Sequence, residues 1–157
     1  MRELIWNTLL TAQMNGCYWS RLASRFARRE KWIKIFLAIT SSGTVAGWTV
    51  WNDYAIVWKA LSALSAVLAV SLPVLDYSGR VTLLNKISSK YAQLRLGYDQ
   101  LWAQIDVLTP DSFNLMQAEL TKKEIELSDL QVNEPDDREL LVHCQTEVLQ
   151  SRGLPNV

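Results

Sequence analysis

The chain has 157 residues, and its 16 basic and 16 acidic side chains cancel. That length allows one domain, or a membrane hairpin with one appendage, and excludes a multidomain assembly line. The charge is unevenly spread: residues 1–34 carry seven basic and two acidic side chains, residues 110–157 four basic and ten acidic. Such an asymmetry suits a basic layer beside anionic headgroups and an acidic body further into the cytosol.

Residues 2–31 read as one amphipathic helix. Ile5, Leu9, Ala12, Gly16, Trp19, Ala23 and Phe26 alternate by four and three, the spacing of a buried seam. Gly16 costs some helicity there and lets a neighbouring backbone come close. Arg21, Arg25 and Arg28 share one face of this helix, with Arg29 adjacent and Tyr18 three residues before Arg21. Arginines bordered by an aromatic ring suit phosphates and a stacked base. The same arginines also suit a cytoplasmic anchor on anionic lipids, and the two readings are compatible.

The helix runs on into the stretch around which the chain is organised. No charge occurs from Ile35 to Asn52, and Lys59 is the only one from Ala55 to Leu75. Spans at about 33–51 and 55–75 each reach roughly the 30 Å of a hydrocarbon core. Trp48, Trp51, Tyr54 and Trp58 cluster at the turn, with Trp32 and Tyr77 at the opposite end, as two aromatic belts. Basic residues flank the outer ends of the pair. The expectation is a two-helix transmembrane hairpin in a bacterial inner membrane, multi-pass, with both termini cytoplasmic. The competing reading is a buried hairpin in a soluble bundle. No cleavable signal peptide is expected, since the N-terminus lacks a basic start and an early apolar core.

Gly43 and Gly47 form a GxxxG pattern, and Thr40, Gly43, Thr44 and Gly47 share one face. Ser62 and Ser65, each followed four residues later by alanine, give the second span similar small positions. Small residues let helices touch backbone to backbone. Two uses stay open: packing between the spans of one chain, or between subunits with Thr40 and Thr44 facing a central pathway.

Pro73, near the inner end of the second span, favours a kink, and Asp76, Ser78 and Gly79 are the alternative, a helix end. Beyond it Leu84, Ile87, Tyr91, Leu94, Tyr98, Leu101, Ile105 and Leu108 alternate three and four without a miss. That is a coiled-coil or bundle helix, and its seam is the expected oligomerisation surface. Thr109-Pro110-Asp111 stops one helix and starts the next, at about 111–131. Residues 133–137 repeat the punctuation before a last helix at about 135–151. The chain is all-α: the hairpin, the amphipathic helix before it and a cytoplasmic helical bundle or coiled coil after it.

Catalytic signals are weak. There is no phosphate-cradling glycine loop and no nucleophile motif. His143 and Cys144 are adjacent, so they point to different helical faces and make a poor metal site. Cys17 and Cys144 both fall on the cytoplasmic side of this topology, and no disulfide is expected. The reading is a non-enzyme without metal or cofactor.

The segment Ala12-Gln-Met-Asn-Gly-Cys-Tyr18-Trp-Ser-Arg21-Leu-Ala-Ser, followed by two spans and cytosolic helices, resembles the SLATT family of two-transmembrane proteins of bacterial defence. The resemblance covers roughly residues 5–110, leaving 111–157 as a separate C-terminal region. It implies an oligomeric pore-forming effector, a tetramer or larger, that breaches the inner membrane when a nucleotide or single-stranded oligonucleotide signal changes. It also implies a partner nucleotidyltransferase, as in Hailong-type systems. The alternative from a different class is a non-conducting membrane scaffold or sensor that recruits a cytosolic partner through the heptad helix.

Overall fold

The computed structural model describes residues 2–50, 55–130 and 137–154, with the side chains among them apart from 42–50, 55 and 58. Five helices account for almost all of it: α1 (Arg2–Val50), α2 (Ala55–Leu75), α3 (Tyr77–Gln104), α4 (Pro110–Ser128) and α5 (Arg138–Ser151). No strand occurs among the described residues. The chain is all-α, and the N-terminal amphipathic helix and the first apolar run form one unbroken helix.

The compact units do not follow the boundary at residue 110 read in the sequence. One joins Met1–Leu22 to Leu83–Val157; the other is Ala23–Thr82. The reason is the seam of α1, which needs partners that lie far away in sequence.

In the first unit four helices share a core. Ile5, Leu9, Ala12, Trp19 and Leu22 of α1 are buried with Leu84, Ile87, Leu94 and Leu101 of α3. Phe113, Leu120 and Leu127 of α4 and Leu140, Cys144 and Val148 of α5 complete it. Helices α1 and α3 run antiparallel, since the Trp6 and Trp102 rings meet at a tilt, 5.4 Å apart, while Ser88 Oγ donates to the Gly16 carbonyl at 3.1 Å. A methyl group on Gly16 would lie 3.5 Å from Tyr91 Cβ, which is ordinary contact. Helix α5 is antiparallel to α1 as well: Arg152 reaches Gln13, and Asp137 reaches Tyr18. The arrangement is a bundle whose neighbours fill one another's seams.

The caps follow from local chemistry. Thr109 accepts from the Ser112 N–H ahead of Pro110, whose missing N–H costs nothing in a first turn. Asp137 Oδ1 accepts from the Leu140 N–H at 3.1 Å and opens α5. The punctuation at 133–136 lies outside the described residues.

In the second unit the later part of α1 pairs antiparallel with α2. Thr40 meets Ser65, and the rings of Phe26 and Tyr77 are 6.0 Å apart. Pro73 does not end α2, which continues to Leu75. The break comes at Asp76, whose φ of 38° is left-handed, a conformation that aspartate tolerates better than most residues. Its carboxylate accepts the Gly79 N–H at 3.1 Å, so Asp76 both stops α2 and caps the start of α3. Helix α3 therefore begins at Tyr77, ahead of the first heptad residue, Leu84. A Cβ at Gly79 would run into that carboxylate.

One helical stretch among the described residues, beginning at Lys59, is long and apolar enough to cross a membrane, and none of its apolar window is buried. Ile56 and Val74 are each 83% exposed, and Val57, Leu64, Val67 and Val70 are also exposed. The aromatic belt at 51–54 and the side chains of Trp48 and Trp58 lie outside the described residues.

Candidate functional site

The sequence marks three sets of residues, and the structure treats each differently. The first is the arginine face with its aromatic neighbour. Tyr18 is buried in the four-helix unit, and its hydroxyl oxygen accepts the Asp137 N–H at 3.1 Å. Its ring meets Trp19 edge-on at 5.0 Å. A ring so placed is no platform for a base, and Tyr18 is reassigned from ligand contact to the joint between α1 and α5. Arg21 is likewise engaged: Nη2 is 2.5 Å from Glu147 Oε2, and Nη1 is 3.2 Å from His143 Nδ1. The pair lies at the surface, with the Arg21 and Glu147 side chains 39% and 50% exposed. In the other unit Arg25, Arg28 and Arg29 are exposed, and Arg28 Nε donates to the Ser24 carbonyl at 3.4 Å. Arg28 and Arg29 carry the exposed charge that phosphate recognition or a lipid anchor needs.

The second set is the small-residue face of the spans. Thr40 is only 6% exposed, packed against α2. Ser65 Oγ lies 2.8 Å from Thr40 Oγ1 and 2.8 Å from the Leu61 carbonyl, and Thr40 Oγ1 lies 2.9 Å from the Phe36 carbonyl. Each hydroxyl has one proton, so when one donates across the helix pair the other donates back to its own helix. Of the two uses read in the sequence, Thr40 takes the first, packing within one chain. Ser62 is half-buried. The contacts of Gly43, Thr44 and Gly47 lie outside the described residues.

The third set is the heptad seam. Leu84, Ile87, Tyr91, Leu94, Tyr98 and Leu101 are all buried within the chain. Ile105 and Leu108 are half-buried beyond the end of α3. Within one chain α1, α4 and α5 cover this seam, which was expected to serve oligomerisation. Tyr98 meets its need for a partner through Glu124, whose Oε2 is 3.4 Å from the phenol oxygen. Burial, and then the neighbouring Glu124 charge, push the phenol from its ordinary 10.0 up to about 12.

The structure also brings together groups that no spacing connects. Cys17 Sγ and Cys144 Sγ are 3.0 Å apart, and Cys17 Sγ lies 3.5 Å from Glu147 Oε2. Beside them is an open cavity of about 380 Å³. Arg95 lines it, its Nε buried without a hydrogen bond and 3.6 Å from Asp99 Oδ2, close enough for an ion pair only. Arg152 bridges Asp99, at 3.4 Å, and Gln13, at 3.0 Å, and its guanidinium lies 5.6 Å from the Trp6 ring centre. The only hint in the sequence is that Cys144 falls on the apolar stripe of the last helix and Cys17 follows the seam position Gly16. Among the described residues no group of three or more His, Cys, Asp or Glu side chains is placed to hold a metal ion.

The chain matches no family model, and no curated protein or solved structure shows significant similarity to it.

Proposed function

We propose that the protein is a pore-forming effector of the inner membrane, in which α2 and the later part of α1 make a two-span hairpin with both termini cytoplasmic. One observation carries the membrane reading. Along α2 the side chains of Ile56, Val67, Val70 and Val74 are between 62% and 83% exposed, on a helix of 21 residues. Exposed apolar area costs about 25 cal/mol per Å² in water, and lipid removes that cost. The helix is also about 32 Å long, the thickness of a hydrocarbon core. The four-helix unit, by contrast, buries its own seams.

Two helices enclose no aqueous path, so conduction requires several copies of the chain. With the α3 seam occupied, subunit contacts fall to the spans, where small residues permit close approach. The antiviral role, the nucleotide or oligonucleotide signal and a partner nucleotidyltransferase come with the SLATT resemblance. Arg25, Arg28 and Arg29 are the exposed cations such a signal would meet.

The test is ion release from liposomes carrying the purified protein, together with membrane depolarisation when it is overexpressed. Tight liposomes would leave the non-conducting scaffold. In that reading the partner would meet the outer face of the heptad helix, since its seam is covered within the chain. Reporter fusions at residue 53 and at the C-terminus should fall in opposite compartments.

A further inference from the structure

Cys17 and Cys144 lie 127 positions apart, on antiparallel helices, with their sulfurs 3.0 Å apart. A disulfide bond is about 2.05 Å long, so closing it takes a movement of about 1 Å. The two thiols differ in access. Cys144 is fully buried, whereas Cys17 is partly exposed and lines the open cavity with Gln13, Gly16, Ser20, Arg95 and Glu147. A small oxidant reaches one sulfur and not the other. Burial also pushes the Cys144 thiol well above its ordinary value, so it stays protonated and unreactive on its own. Cys17 Sγ also donates to Glu147 Oε2 at 3.5 Å, which helps to orient the thiol.

We propose that Cys17 and Cys144 form a peroxide-sensitive latch that covalently ties α1 to α5. The inference does not depend on the pore reading. In the first step the Cys17 sulfur attacks one oxygen of a hydroperoxide. The O–O bond breaks, Cys17 becomes a sulfenic acid, and the thiol proton leaves with the other oxygen as water or an alcohol. In the second step the Cys144 sulfur attacks the Cys17 sulfur. The S–O bond breaks, and the hydroxyl departs as water with the Cys144 proton. Two thiols lose two electrons, and the peroxide takes them. In a reducing cytosol the pair rests as thiols and closes only under oxidant, the usual behaviour of a cytosolic sensor pair.

The full-length protein in detergent, treated with hydrogen peroxide and alkylated, tests this by peptide mass spectrometry. The expected product is a cross-linked pair of peptides containing residues 17 and 144 within one chain, lighter by two hydrogens and reversed by dithiothreitol. The oxidised chain should melt several degrees higher than the reduced one, because the bond closes a long loop. In Cys144→Ala, a sulfenic-acid probe should label Cys17 after peroxide. In Cys17→Ser, Cys144 should stay unmodified until the protein is denatured. The proposal fails if the oxidised wild type contains only disulfides between chains. It fails equally if Cys17 passes to sulfinic acid with no link to Cys144. Both outcomes are read on the wild type, so neither depends on a variant folding.

Discussion

The phenol oxygen of Tyr18 accepts the backbone N–H of Asp137 at 3.1 Å, joining the middle of α1 to the cap of α5. The bond satisfies a donor at a helix start that would otherwise depend on water. Tyr18→Phe should destabilise the body by about 1–2 kcal/mol, the usual cost of an abandoned part-buried donor. Chemical denaturation should show a lower midpoint at an unchanged slope. Binding to anionic vesicles should not change, because this ring faces α5.

Leu94 and Leu101 are at most 1% exposed. Truncating a buried leucine to alanine costs about 2–5 kcal/mol, and a carboxylate there costs more. Leu94→Asp should therefore unfold the four-helix unit rather than merely separate subunits. The readout is far-ultraviolet circular dichroism with limited proteolysis. A folded, protease-resistant variant that had only lost assembly would return the seam to an intersubunit role.

Gly97 of α3 faces Leu120 of α4 so closely that an added Cβ would overlap Leu120 Cδ2. Glycine to alanine within a helix ordinarily gains about 1 kcal/mol. Overpacking a core costs about 1–3 kcal/mol, and Leu120 is buried with little room to move. Gly97→Ala should thus be net destabilising. In a Leu120→Ala background the same change should become stabilising by roughly 0.5–1 kcal/mol, since only the propensity gain remains. A double-mutant cycle by denaturant titration reads this sign reversal.

The Tyr98 phenol is raised from 10.0 to about 12, by burial first and then by Glu124. The folded chain holds this proton more tightly than the unfolded chain. Between the two values it binds more protons, so stability falls as pH rises. The contribution is intact below about pH 10 and is lost between about 10 and 12. The raised Cys144 thiol acts in the same direction, starting from its ordinary 9.0. Equilibrium denaturation from pH 8 to 11.5 should show declining stability, with a slope per raised group of at most about 1.4 kcal/mol per pH unit. Tyr98→Phe should flatten the part of that slope above pH 10.

Arg25, Arg28 and Arg29 are exposed. Replacing Arg28 and Arg29 with alanine should weaken binding to anionic vesicles and leave the thermal stability of the body unchanged. If they also meet a nucleic-acid signal, single-stranded oligonucleotide binding in detergent should fall with them and weaken steeply with salt. Loss of vesicle binding alone would make them a lipid anchor. Arg21→Ala should lower stability by no more than about 1 kcal/mol, because its pair with Glu147 is exposed to solvent.

Much of the architecture was legible because local signals carried it. Unbroken heptads called for a helix through 84–108, of which α3 covers the part to Gln104, and Thr109-Pro110 called for a stop and a start. The absence of charge from Ala55 to Leu75, apart from Lys59, marked α2 to its ends. The helix end at Asp76, ahead of Ser78 and Gly79, was legible as well. A proline near a helix end removes one hydrogen bond, whereas the left-handed backbone at Asp76 turns the chain.

The sequence by itself determined which residues are apolar, at what period, and therefore that the chain is helical with one stretch fit for lipid. Periodicity says that a face must be covered, but not by what. Only the tertiary structure decided that the α3 seam is covered by α1, α4 and α5 of the same chain. The same packing turned Tyr18 inward to Asp137, set Arg21 against Glu147 at the surface and placed Cys17 beside Cys144. Those partners lie more than a hundred residues apart, and packing between distant helices, which leaves no mark in local spacing, is what sets them together.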